Sequence, residues 1–176
     1  RAEEMQRAAR VIGAQPPILL GHGDTELDRL PPAVLREQFV RAIRTVRPDA
    51  VVVLDPYAMY EPHPDHRAVA WAGYEAIGCS HLPLVFPRHL AEGLEPHYVA
   101  EKFFCGDYLP GANRIVDTSS YIDVKIAALA EHRSQVVFLV ESRLRQAVLA
   151  GLDPASAFAG RGRSPAELLA WAIRQR

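Results

Sequence analysis

Ala50-Val51-Val52-Val53-Leu54 runs directly into Asp55-Pro56-Tyr57-Ala58-Met59-Tyr60-Glu61-Pro62-His63-Pro64-Asp65-His66-Arg67. The first five residues are apolar and mostly β-branched, which suits a strand covered on both faces in a parallel sheet. Asp55-Pro56 breaks the run. Pro64 has no N–H and fits the first turn of a helix, where that donor lacks a partner in any case. His63 therefore falls at or next to the N-cap, with Asp65 and His66 in the first turn. In an open α/β sheet, ligands bind in the crevice beyond the carboxyl ends of the strands. Residues three apart share a helix face, so both imidazoles are expected to project into that crevice.

The flanking sequence fits this frame. Met5, Ala8, Ala9 and Ile12 form one helical stripe near the start. Pro17 to Leu20 reads as a short strand, and Gly21-His22-Gly23-Asp24 as the loop after it. Pro31-Pro32 opens a helix carrying Val34, Leu35, Phe39, Val40 and Ile43, and Arg47-Pro48-Asp49 closes it. Strand, helix and strand in this order make a βαβ crossover. The helix from Pro64 continues through many small residues to Gly78, and small residues allow close packing. Ser80 to Glu95 reads mostly as loop, Val99 to Cys105 as a strand, and Arg114 to Asp117 as another. From Ser119 the pattern is helical, with Asp153-Pro154 and Ser164-Pro165 as N-cap and N1 pairs, the second completed by Glu167 as a capping box. Phe103, Phe104, Phe138 and Trp171 read as core. The expected fold is therefore α/β, a Rossmann-like and mostly parallel sheet flanked by helices, with a C-terminal helical layer.

At 176 residues the chain is expected to form one domain. It is 49% hydrophobic and 23% charged, an ordinary globular composition. A net charge of -1 disfavours a nucleic-acid partner or an anionic membrane surface. No apolar run approaches the roughly 18 residues of a membrane span. Cys79 and Cys105 form no CxxC pair, which fits a reducing, cytoplasmic setting. A homo-oligomer remains open. No methionine opens the chain, and Arg1 already lies in a helical pattern, so the natural start is expected upstream.

On its own, a His-x-x-His pair fits solvated helix-start histidines as well as a metal or catalytic site. Here the string His63-Pro64-Asp65-His66 resembles a signature of the PIG-L/LmbE-like deacetylases, zinc-dependent enzymes that remove N-acetyl groups from amino sugars. Three further pieces agree in order. Arg1-Ala2-Glu3-Glu4 resembles the family's Arg-x-x-Glu helix. Leu20-Gly21-His22-Gly23-Asp24-Thr25-Glu26-Leu27 resembles its Leu-Gly-x-x-Asp-Gly-x-Leu loop. Val116-Asp117 through Lys125 to His132-Arg133-Ser134-Gln135 resembles its Asp…Lys…His-x-Ser-Gln segment. The likeness covers Arg1 to about Gln135, leaving 136–176 as a helical extension.

The resemblance implies roles residue by residue. His66 matches the histidine that binds zinc. His63 matches the histidine that stabilises the oxyanion or protonates the leaving amine, and Asp65 the carboxylate that orients and charges it. Arg1 and Asp24 match positions associated with the sugar. The implied cofactor is Zn2+ or another divalent metal, and the implied partner a small-molecule amino sugar. A catalytic zinc takes three protein ligands, activates water and polarises the carbonyl. The family's His-Pro-Asp-Asp-Glu signature, which supplies two ligands and the general base, does not occur in this sequence. It is expected before Arg1, together with the first strand. Two other readings stay open. One is a non-catalytic sugar-binding or interaction module of the same fold. The other is a metallohydrolase acting on a non-sugar amide. Substrate choice is expected in Ser80 to Glu95 and the C-terminal helices. Asp55 and Asp117 read as turn and cap residues.

Overall fold

The computed structural model describes residues 1–106, 111–151, 153 and 164–174. Its elements, in chain order, are α1 (Ala2–Val11), α2 (Pro32–Val46), β1 (Ala50–Leu54), α3 (Pro64–Cys79), α4 (Arg88–Ala91), β2 (Glu101–Cys105), α5 (Ile122–Ala130), α6 (Arg133–Leu149) and α7 (Pro165–Arg174). Short 3-10 turns lie at Leu27–Arg29 and Ser119–Tyr121. The chain divides into two compact units, Leu20–Arg114 and a discontinuous one made of Arg1–Leu19 with the described part of Ile115–Arg176.

In the continuous unit, β1 and β2 pair in parallel, in register from Ala50 opposite Glu101 to Leu54 opposite Cys105. The ladder runs on into the loop after β1, where Asp55 N–H donates to the Cys105 carbonyl at 2.8 Å. The α/β class expected from the sequence is present, but the parallel crossover is β1–α3–β2, and the one read from Pro17–Leu20 through α2 to β1 lacks its first strand. Helices α2 and α3 pack on each other, and α3 packs on β1. Val40, Ile43, Ala76, Ile77 and Val99 form the core, with Phe39, Val51, Val53 and Phe86 against it. The small residues of α3 permit this closeness: a Cβ on Gly73 would stand 3.1 Å from Val53 Cγ1. Helix α2 ends on Arg47 in the left-handed conformation (φ 54°), with its N–H on the Ile43 carbonyl.

Two sequence expectations need correction here. Pro17 to Leu20 and Arg114 to Asp117 have no strand structure. Among the described residues, only β1 and β2 pair, so neither run finds the neighbour that would satisfy its backbone groups. Ile18, Ile115 and Val116 are accordingly exposed. The Ser80 to Glu95 segment is mostly loop as expected, with the short α4 within it and a buried polar network. Arg44 is only 2% exposed and His89 1%. Arg44 donates to the Ser80 carbonyl at 3.0 Å and to the Leu82 carbonyl at 2.8 Å, and its third nitrogen lies 3.1 Å from His89 Nδ1. His89 Nε2 lies 2.6 Å from Glu37 Oε1. Lastly, Phe104 and Phe138 are exposed rather than core, while Phe103 is half-buried. The side chain of Trp171 and the Asp153-Pro154 pair, at its Pro154, lie outside the described residues.

In the discontinuous unit, α1 packs on α5, and α7 packs on α5 and α6. Glu4 supplies the N-terminal turn of α6 with a distant cap. Its Oε1 accepts from Ser134 N–H at 2.9 Å and its Oε2 from Ser134 Oγ at 2.8 Å. A carboxylate at this end also meets the positive end of the helix dipole. Arg7 Nε bonds Glu131 Oε2 at 2.8 Å. The capping box of α7 is formed as expected: Ser164 N–H donates to Glu167 Oε2 at 3.0 Å, and Glu167 N–H to Ser164 Oγ at 3.3 Å.

Candidate functional site

The site begins where β1 ends. Asp55 Oδ1 accepts from Tyr57 N–H at 2.7 Å, which makes Asp55 the turn former expected. The loop then passes through Tyr60 in the left-handed region (φ 66°) and reaches α3. His63 is the N-cap, in extended backbone (φ -75°, ψ 120°), with Pro64 at the start of the helix. Its ring serves as the capping acceptor: Asp65 N–H donates to His63 Nδ1 at 3.2 Å.

One turn on, His66 lies against His63 as a stacked pair, with ring centroids 4.4 Å apart and planes inclined by 20°. Glu61 reaches both. Its Oε1 accepts from His63 N–H at 2.9 Å, and its Oε2 is 3.2 Å from His66 Nδ1. The bond from His63 N–H holds the Glu61 carboxyl below its usual range against the opposing effect of burial, and His66 adds to the lowering. Arg67 anchors the same loop, donating to the Glu61 and Pro62 carbonyls at 3.1 and 3.2 Å.

The Gly21–Leu27 loop completes the site. Asp24 is exposed, with Oδ1 4.0 Å from His63 Nε2. Asp65 is buried, and its carboxylate turns toward this loop: Oδ2 accepts from Thr25 N–H at 2.7 Å and Oδ1 from Leu27 N–H at 3.1 Å. Asp65 thus meets His63 through its backbone N–H, and the carboxylate facing the His63 ring is Asp24. Thr25 itself sits at φ 64°, a left-handed conformation.

The structure therefore brings Asp24, His63, Asp65 and His66 together. Arg1 belongs to the other unit, where it is exposed and lies 3.8 Å from Glu4. Glu61 was missed by the sequence reading, although it stands only two residues before His63. Its local signal was a carboxylate just ahead of Pro62 and His63, which does not by itself indicate two contacts. A cleft of about 150 Å3, lined by Asp55, Glu61, His66, Arg67 and Cys105 among others, opens beside the carboxyl ends of β1 and β2. His66 lines this cleft, whereas the Nε2 of His63 faces Asp24.

Among the described residues, no group of three or more His, Cys, Asp or Glu side chains is placed to hold a metal ion. His66 is one donor of the three a catalytic zinc requires, and Glu61 lies against its Nδ1. The described residues therefore do not by themselves fit a metal centre. Nor is any described helix long and apolar enough to cross a membrane.

Residues 1–77 match the family model for PIG-L, described as GlcNAc-PI de-N-acetylase. The chain is 37% identical over 135 residues to a diacetylchitobiose deacetylase of Thermococcus kodakarensis, a match spanning 77% of this chain and 49% of that protein. It is 25% identical over 154 residues to a probable N-acetyl-alpha-D-glucosaminyl L-malate deacetylase 2 of Bacillus anthracis, across 83% of this chain and 60% of the relative. The fold is similar to that of N,N'-diacetylchitobiose deacetylase from Pyrococcus horikoshii in complex with its inhibitor MPG. That match has a TM-score of 0.66 at 30% identity and covers 76% of this chain and 49% of the other. A conserved protein of Thermus thermophilus matches with a TM-score of 0.62 at 28% identity, covering 77% of this chain and 57% of the other. The chain thus spans about half the length of the two diacetylchitobiose deacetylases it matches.

Proposed function

We propose that the chain is a PIG-L family member, as the match of residues 1–77 supports, and that it acts as an N-deacetylase, hydrolysing the acetamide of an amino sugar or of a glycoside containing N-acetylglucosamine. The observation that carries this reading is the stacked His63–His66 pair at the start of α3, set at the carboxyl end of a parallel sheet. Amide hydrolysis needs stabilisation of charge on the carbonyl oxygen and a proton for the departing amine. His63 is the residue assigned to these tasks, because its Nδ1 is occupied by the Asp65 N–H and its Nε2 remains to donate. Asp24 Oδ1 is 4.0 Å from that nitrogen, the facing position the sequence had given to Asp65. Asp65 instead holds the loop that carries Asp24. Asp24 is the proposed sugar contact at this site.

Deacetylases of this family depend on a metal. We assign zinc, with His66 as the ligand this segment contributes, on the borderline-soft imidazole donor chemistry that zinc favours. A cytoplasmic place of action belongs to the same proposal and is supported by Cys79 and Cys105, both free.

The test is acetate release from N,N'-diacetylchitobiose and from N-acetylglucosamine by the purified chain supplied with zinc. Turnover should fall by about 100-fold or more in His63→Ala, as expected for loss of a positioned acid. Sugar binding with no acetate release would favour a non-catalytic module. Release untouched by His66→Ala would overturn the metal assignment.

A further inference from the structure

The cleft beside His66 is small. At about 150 Å3 it falls below the roughly 300–1,000 Å3 typical of small-molecule sites, and a glycoside has more to bury than its acetamide. A second groove, of about 460 Å3, adjoins it, and Arg67 lines both. One wall is the face of α3 that carries Pro64, Arg67, Trp71 and Glu75, a stripe at helical spacing about 16 Å long. It starts at Pro64, directly after the His63 cap. The other wall holds Asp28 and Leu30, just beyond the loop that Asp65 ties down through Leu27. Trp71 is 40% exposed within this lining, and its indole is held edge-on by Tyr57 and Tyr74, with ring centroids 5.2 and 6.0 Å away. Arg36 fixes Glu75, its Nε donating to Glu75 Oε2 at 2.6 Å. The Ser80 to Glu95 segment, by contrast, begins where α3 ends, about 24 Å of helix from His63.

We infer that this groove is a subsite for a second, neutral pyranose ring joined to the amino sugar, with Trp71 as its platform and the residue that sets the preference. The inference rests on the deacetylase reading for the first ring, at His63 and His66. The face of a pyranose is clad in C–H groups and loses apolar surface to water when laid on an aromatic ring, while its hydroxyls point outward from the edge. Asp28 and Glu75 are acceptors for those hydroxyls, and Arg67 is a donor. An anionic group in the same place would meet two carboxylates. A wholly apolar one would desolvate three charged side chains without giving them partners. Substrate choice then lies along α3 and the 3-10 turn before α2, and not in Ser80 to Glu95.

The experiment is titration calorimetry on the full 176-residue chain, with N,N'-diacetylchitobiose and with N-acetylglucosamine. Native protein should bind the disaccharide about 10-fold more tightly or better, the effect of one well-packed aromatic contact. Trp71→Ala should abolish that difference and leave the affinity for N-acetylglucosamine unchanged. Ala68→Leu, which adds bulk to the groove on a helix that accepts leucine, should do the same, and it decides the matter if Trp71→Ala does not fold. No binding of the disaccharide, equal affinities in the native chain, or a loss shared by both sugars in the variants overturns the inference. So does an octyl glycoside of N-acetylglucosamine bound as tightly as the disaccharide, because the groove would then read apolar surface. A dimer in solution that Trp71→Ala dissociates would show the groove covered by a second copy and overturns it too. A disaccharide preference that depends on Trp71, in a chain that releases no acetate, would count against the deacetylase reading and leave the subsite standing. Acetate release at the same kcat/KM from both sugars would do the reverse.

Discussion

Asp65 Oδ2 accepts the backbone N–H of Thr25 at 2.7 Å, across 40 residues of chain. With the Leu27 bond to its other oxygen, this ties the first turn of α3 to the loop bearing Asp24. Replacing Asp65 by Ala leaves two backbone donors without their charged acceptor. A hydrogen bond to a charged group contributes about 1.5–3 kcal/mol, so urea unfolding of Asp65→Ala should show a loss of at least about 2 kcal/mol. Asn retains one acceptor oxygen and should lose less. Equal losses for Ala and Asn would show that the carboxylate does not hold the loop.

Thr25 donates that bond from φ 64°, where a β-branched residue is strained. Left-handed backbone costs an ordinary residue roughly 1–2 kcal/mol, while glycine gives back about 0.5–1 kcal/mol as unfolded-state entropy. Thr25→Gly is therefore expected to raise the urea midpoint, with the Asp65 bond kept. A lowered midpoint would mean that the Thr25 side chain contributes more than its backbone costs.

Arg44 is buried among acceptors: the Ser80 and Leu82 carbonyls and His89 Nδ1. Arg44→Met fills part of the volume but strands these acceptors, each at about 1–3 kcal/mol. A loss of about 3 kcal/mol or more is expected in denaturant titration. A near-neutral result would show that water reaches the network.

Glu37 receives His89 and Arg41. Burial pushes its carboxyl up, and the bonds from those two residues more than offset this, leaving it below the ordinary glutamate value. A carboxyl depressed in the folded state contributes stability that is present above its unfolded value, about 4.3, and is lost as pH falls through the folded value. Thermal midpoints measured from pH 7 downward should stay flat to about pH 5 and then drop, with a shallower drop in Glu37→Gln. An unchanged slope in that variant would assign the acid sensitivity to other carboxylates.

The parts of this molecule legible from sequence are those written locally. The apolar run before Asp55, Pro64 after His63, and Ser164 three before Glu167 each place a boundary within a few residues, and the structure has β1, the α3 cap and the α7 capping box there. What sequence missed depends on partners far along the chain. Nothing near Asp65 reveals that its oxygens are claimed by amides 38 and 40 residues earlier. His89 looked like a loop histidine because its partners, Glu37 and Arg44, lie on α2. Pro17 to Leu20 has strand composition, yet a strand also needs a neighbour to pair with. At the candidate site, the histidines were visible as a motif, whereas what each ring faces depends on where Glu61 and Asp24 fall in space.

The cap that Glu4 provides to Ser134 joins residues 130 positions apart, and Arg7 meets Glu131 across 124. During synthesis, α1 therefore emerges long before α5, the described helix it packs against. The continuous unit, Leu20–Arg114, carries its own core and is complete earlier. On a ribosome, α1 must wait through the synthesis and collapse of this intervening unit before its partners arrive, since contacts of such high sequence separation form late. The apolar stripe containing Met5 and Ala8 thus stays open to a nascent-chain chaperone throughout that interval.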